Sequence, residues 1–251
     1  MTELLLLALA GCVGGAMNAL AGGGSFVTLP ALIAAGVPSV SANTSSSVAL
    51  YPGGAVSAWV YRDGFARVCG VPLRPTLAAT LVGGLVGALL LLWTPSSVFD
   101  RVLPWLLLTA TATLFFGPRL RTLVQKRFEP SAALILGLQF GLGVYGGYFG
   151  GAVGLMMMSA WSLLDEADVK ALTPVKALLV TAANTVAIVC FAVAGAVHWV
   201  AAAALGAGAV VGGYGDAHLG RRLPAGAIRW ATLIATASIT AAFFGRAYFK
   251  S

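Results

Sequence analysis

A chain of 251 residues that is 59% hydrophobic and 9% charged, with a mean hydropathy of +0.92, has too little polar surface to coat a soluble core. Its net charge of +7 comes from basic residues in short loops beside apolar runs, which excludes a basic nucleic-acid-binding domain and fits the cytoplasmic loops of a membrane protein. Cys12, Cys69 and Cys190 are odd in number and far apart, with no C-x-x-C spacing, so no metal site, redox pair or cofactor is expected.

Apolar segments run over 4–21, 26–35, 43–61, 75–93 and 102–117, and return over 131–149, 155–164, 172–194, 198–214 and 227–245. No Asp, Glu, Lys or Arg lies between Leu4 and Tyr61 or between Pro130 and Leu164, and only His198 interrupts the run from Ala177 to Gly215. Each run exceeds the roughly 20 residues that one membrane helix needs. They are continuous rather than alternating, so helices and not a β-barrel are expected. Glu3 stands where the basic end of a signal peptide would be, and the first segment is read as a retained span.

Both halves read long, short, long, long, long. Gly22-Gly23-Gly24-Ser25-Phe26 falls against Gly151-Ala152-Val153-Gly154-Leu155, Gly83 and Gly87 answer Gly208 and Gly212, and Arg101 answers Arg229. The expected fold is all-α: a polytopic membrane protein of about eight transmembrane helices plus two short broken or re-entrant ones. Its repeats cover 1–117 and 131–251, joined by a cytoplasmic linker over 118–130. Basic residues cluster at Arg62, Arg67 and Arg74, at Arg119, Arg121, Lys126 and Arg127, and at Arg221, Arg222 and Arg229. With these loops in the cytoplasm, both termini are periplasmic, each half crosses an odd number of times, and the second copy is inverted. The loop with Asp165, Glu166, Asp168 and Lys170 is acidic and pulls against this scheme, but acidic residues contribute little to topology.

Three consecutive glycines, each destabilising a helix by roughly 1 kcal/mol relative to alanine, predict a break over 22–24. Irregular backbone at membrane depth is tolerated only inside protein or along a cavity. The helix that follows would present free N–H groups and the positive end of its dipole to an anion, with Ser25 as its cap. Gly22, Gly23, Gly24, Ser25 and Phe26 are therefore candidate anion contacts, and Gly150, Gly151 and Gly154 are their counterparts in the second copy. Glycines four apart also let membrane helices pack closely, which is the plainer reading of Gly83, Gly87, Gly208 and Gly212.

The run from Ser41 to Ser47 offers Asn43, Thr44 and Ser45 to a substrate, or to helix capping. Thr181 and Asn184 stand opposite in the second half. Lys176 either snorkels to the interface or pairs with a ligand. His198 beside Trp199 reads as an interfacial pair, with proton coupling as the sharper alternative.

With these residues in place, the chain resembles the sulfite exporter TauE/SafE family of membrane permeases. The resemblance lies in G-G-G-S-F-V-T-L-P-A-L and S-A-N-T-S-S-S-V-A-L, then in K-A-L-L-V-T-A-A-N-T-V-A, F-A-V-A-G-A-V-H-W and G-A-G-A-V-V-G-G-Y-G-D-A-H-L-G-R-R-L-P. It implies a duplicated helical bundle in the cell inner membrane that moves sulfite, sulfoacetate or a similar organosulfur anion. Ala152 and Val153 depart from the glycine triplet of the first copy.

The chain carries no P-loop motif, so a proton gradient or the membrane potential is the expected energy source. Export of an anion is downhill by roughly 2.3 kcal/mol per charge per 100 mV. The expected partners are a small anionic substrate and the lipid bilayer, with room for a homo-oligomer and none for nucleic acid. A passive anion channel and a carrier of a non-sulfur organic anion are the alternatives. A serine hydrolase built on Ser25 and His198 lacks the second glycine of G-x-S-x-G and a residue to orient the histidine.

Overall fold

The computed structural model describes residues 2–65, 67–124, 130–164, 169–219 and 225–249. Ten α-helices follow in order: α1 Thr2–Ala21, α2 Ser25–Ala34, α3 Ser39–Val60, α4 Leu73–Trp93, α5 Ser96–Val124, α6 Ala132–Tyr148, α7 Val153–Leu164, α8 Val169–Val193, α9 Trp199–Leu219 and α10 Ala225–Phe244. Four carry an apolar stretch of 18 residues or more: Thr2–Ala19, Leu73–Trp93, Ser96–Phe116 and Ala171–Val193. Exposed Leu, Val and Trp side chains cover the outer faces, and Trp93, at the end of α4, is 77% exposed. Such a surface is stable only against lipid, with tryptophans at its edges. The molecule is an all-α, multi-pass membrane protein.

Two elements differ from their apolar segments. Helix α5 continues to Val124, seven residues past the point where apolarity ends, and so extends into the stretch expected as a linker. Hydropathy marks the edge of the lipid, whereas a helix ends where its backbone loses partners. Helix α3 begins at Ser39 behind Pro38 rather than at residue 43, because its first turn is polar. The basic and acidic positions within 125–129, 165–168 and 220–224 lie outside the described residues.

Each half's first helix packs on the other half's fourth. Gly11 and Gly15 of α1 lie over the backbone of Leu205 and Ala209, while Gly208 and Gly212 of α9 lie over Ala8 and Cys12. Gly83 and Gly87 of α4 lie over Phe140 and Val144, and Gly143 and Gly147 of α6 over Thr80 and Gly84. A Cβ at any of these eight positions would enter the facing backbone. In both pairs residue numbers rise together, so the helices run parallel. This is small-residue packing, in which close backbone approach replaces the hydrophobic drive that lipid removes.

The short helices fold back along the long ones before them. Gly14 of α1 meets Thr28 and Asn18 meets Gly24. Gly146 of α6 meets Val153, and Gln139 hydrogen-bonds Trp161. At 10 and 12 residues, α2 and α7 reach only about 15–18 Å and cannot cross a core of about 30 Å. Gln139 is fully buried, yet its amide donates to the Thr80 hydroxyl at 2.8 Å and accepts from the Trp161 indole at 3.2 Å, tying α4, α6 and α7 together. Phe26, Phe99, Phe149 and Phe191 form the main apolar core around the two hairpins.

Candidate functional site: two helix breaks and a polar seam

The first break turns at Gly22, whose φ of +69° favours glycine. Its amide donates to Asn18 O at 2.9 Å. Helix α2 then starts at Ser25 with Gly24 as its cap residue and no side-chain cap, so Ser25 does not take the capping role expected of it. The amides of Phe26 and Val27 donate to the carbonyls of Gly23 and Gly24, each at 3.1 Å, in a tightened first turn. Phe26 is 1% exposed and belongs to the core. Gly24 is hemmed in: a Cβ there would lie 2.5 Å from Gly14 O, 2.8 Å from Asn18 Cβ and 3.1 Å from a Leu50 methyl. Packing alone accounts for glycine at this position.

The second break turns at Gly150, with φ +73°, and Ala152 adopts φ +59°, a conformation that strains a residue with a Cβ. Gly22 and Gly150 both stand three residues ahead of their short helix, so the backbone matches Gly22 to Gly150 and not to Gly151, the pairing that letter matching gives. Helix α7 closes its first backbone bond at Met156, which donates to Ala152 O at 3.1 Å. The amides of Val153, Gly154 and Leu155 are the donors a helix start leaves over. The aliphatic stem of half-buried Lys176 crosses this turn, with Cδ and Cγ at 3.5 and 3.7 Å from where a Gly154 Cβ would sit. A Cβ on Gly151 would meet the ring of Phe149.

Helices α3 and α8 bring polar groups to this second break. A Cβ on Gly150 would lie 3.2 Å from Ser47 Oγ and 3.6 Å from Asn184 Oδ1. Further along, Tyr51 and Thr185 hydroxyls pair at 2.8 Å, and Thr181 Oγ1 lies 3.5 Å from the Gly54 Cβ position. Asn43, Ser47, Tyr51 and Gly54 recur at helical spacing on one face of α3, against Thr185, Asn184 and Thr181 on α8. Two buried atoms on this seam have no hydrogen-bond partner: Asn43 Oδ1 and Thr181 Oγ1. Buried polar atoms are almost always paired, so these two stand out along the seam.

Thr44 and Ser45 have other work. The Thr44 hydroxyl donates to Ser41 O at 3.0 Å and to Ala196 O at 2.7 Å, and Ser45 Oγ accepts from the amide of His198 at 2.8 Å. Together they tie α3 to the turn before α9. His198 and Trp199 are exposed, and His198 Nδ1 accepts from the amide of Ala201 at 3.4 Å, at the start of α9. Neither residue meets the seam through these bonds. Tyr51 and Thr185 went unnoticed in sequence, although their place on one helical face with Ser47 and Thr181 would have found them.

Comparison with known proteins agrees with this architecture. The family model described as "Sulfite exporter TauE/SafE" matches residues 7–243. A "Probable membrane transporter protein" of Haemophilus influenzae is 31% identical over 227 residues, covering 87% of this chain and 85% of that protein. "Probable membrane transporter protein YfcA" of Escherichia coli K12 is 30% identical over 218 residues, covering 83% and 76%. "Probable membrane transporter protein ORF9" of a Sinorhizobium species is 29% identical over 212 residues, covering 83% and 80%. No solved structure matches the chain. Matched over nearly its whole length and built to cross a bilayer, the chain is a membrane transporter and belongs to the sulfite exporter TauE/SafE family.

Proposed function

We propose that this protein is a secondary carrier that exports a small sulfur oxyanion or organosulfonate, such as sulfite or sulfoacetate, across the cell inner membrane. The anion sits at the N-terminus of α7, between the amides after Ala152, the Lys176 ammonium and the Thr181 hydroxyl. The observation that carries this reading is the unpartnered, buried hydroxyl of Thr181, which lies against Gly54 on the seam between α3 and α8, the helix whose Lys176 stem crosses the start of α7. Backbone amides and a hydroxyl suit an oxyanion, and a lysine adds long-range attraction without rigid geometry. The first break supports the reading less, since its amides turn inward and Gly24 is filled by neighbours.

The parallel packing of α1 on α9 and of α4 on α6 supports two inverted halves, because each pair joins helices that cross in the same direction. Both termini then face the periplasm. A C-terminal alkaline phosphatase fusion is expected to be active and a green fluorescent protein fusion dark; the reverse pair of results excludes the arrangement. The substrate is tested by thermal shift of the purified protein with sulfite, thiosulfate, sulfoacetate, taurine and simple carboxylates. Stabilisation by sulfur oxyanions above carboxylates is expected, and an equal response to all of them removes the sulfur assignment. Saturable counter-transport in liposomes distinguishes a carrier from a channel.

A further inference from the structure

We propose that the side-chain oxygens that α3 and α8 carry beside the second break, those of Asn43, Ser47 and Asn184, form a site for a monovalent, sodium-sized cation. Asn43 is 1% exposed, and its Nδ2 donates to Tyr148 O at 3.0 Å. That bond fixes the amide, because the reversed orientation would set two acceptors face to face. Oδ1 is thereby left buried with no donor. An anion brings only more acceptors and worsens this. What satisfies Oδ1 must be a donor or a cation.

Three features select the cation. The Ser47 hydroxyl donates its proton to Asn43 O at 3.0 Å, so its lone pairs face outward. Ser47 Oγ and Asn184 Oδ1 converge over Gly150, at 3.2 and 3.6 Å from one point, and Gly150 has no side chain to fill that space. Tyr148 ends α6, so the negative end of that helix dipole lies beside the same spot. Oxygens without a carboxylate among them suit a hard monovalent ion, whereas calcium sites are built with carboxylates. Discontinuous membrane helices use their two ends in this divided way, carbonyl ends for cations and amide ends for anions. Opposite charges bound at the two ends of one break favour each other's binding, and the coupling is reciprocal.

The inference rests on the second break being the ligand-facing one, but its test omits the anion. The full-length protein in detergent is titrated with sodium at constant ionic strength, with choline as the balancing cation, and its melting temperature is followed. A saturating rise specific to sodium is expected. Asn184→Ala and Ser47→Ala should each shift the half-saturating concentration at least about fivefold, and Asn43→Ala at least about tenfold. Because Asn43→Ala also cuts the tie to Tyr148, the other two variants decide if it fails to fold. Identical curves in sodium, potassium and choline overturn the proposal and assign Oδ1 to water. A sodium response unchanged in the folded variants overturns it as well. Stabilisation by sulfite in choline alone reports separately on the anion site, so one reading can fail while the other stands.

Discussion

At residues 22–24 and again at 150–152 a long membrane helix stops and a short one folds back along it, yet the two breaks face different surroundings. The first has three glycines and is crowded at the last of them: Gly24 is pressed on Gly14, Asn18 and Leu50, and the next amides turn onto local carbonyls, while a Cβ on Gly22 or Gly23 would meet only Leu155 or Phe26, at 3.8 and 3.6 Å. The second has two glycines and a strained alanine, and it faces Ser47, Asn184 and Lys176. Glycine therefore serves different contacts at the two helix starts. In the first break glycine lets backbone approach backbone; in the second it leaves space beside polar side chains.

The sharpest way to break this comparison is to add carbon at each. Gly24→Val drives a branched side chain into the backbone of α1 and should lower stability by on the order of 3 kcal/mol or more, read as loss of monodisperse protein. Gly154→Ala meets only a Val180 methyl at 3.4 Å and the Lys176 stem at 3.5 Å, which are ordinary contacts, so the protein should fold normally. A well-folded Gly24→Val protein would show that the first break has room, and the distinction between the two would fail.

Next in size is the charge. Lys176→Met keeps the stem over Gly154 and removes the ammonium. Anion affinity should fall at least about tenfold, or roughly 1.4 kcal/mol, with little change in melting temperature. Unchanged affinity would leave Lys176 as a snorkelling residue and remove the main attraction from the second break.

The contrast between the breaks was only half legible in sequence. Three contiguous glycines in an apolar run announced the first break, whereas the pairs Gly14-Gly15, Gly83-Gly84 and Gly146-Gly147 lie within continuous helices and serve their packing. The second was found by repetition, but matching glycine to glycine placed it one residue late: Gly150 holds the left-handed turn and Ala152 tolerates a conformation that sequence rules reserve for glycine. Burial was not legible at all. Thr44 and Ser45 look like Asn43 in sequence, and their partners at Ala196 and His198 come from the other half of the chain. Helix number and order followed from hydropathy, because lipid imposes it on every span. The seam needed the register between α3 and α8, which no local pattern encodes.

A smaller effect with a definite sign is expected at Thr181. Its hydroxyl is buried without a partner, and an unmet polar group destabilises the ligand-free protein by about 1 kcal/mol or more. Thr181→Val keeps the shape and removes the hydroxyl, so the ligand-free melting temperature should rise while anion affinity falls a few-fold. If stability and affinity fall together, the hydroxyl has a structural partner, and the second break loses the observation that distinguishes it.

The smallest effect tests the other side of the comparison. Ser45 accepts a hydrogen bond from the His198 amide at 2.8 Å, which joins α3 to the turn before α9. Ser45→Ala removes that acceptor at a fully buried position, so the loss should be about 1 kcal/mol. With the Ser45 hydroxyl engaged by the His198 amide, half-saturation by anion should stay within twofold of wild type. Melting temperature and anion affinity measured on the same preparation separate the two roles. A tenfold loss of affinity at unchanged stability would put the first turns of α3 in contact with substrate, and the anion would then belong to both breaks.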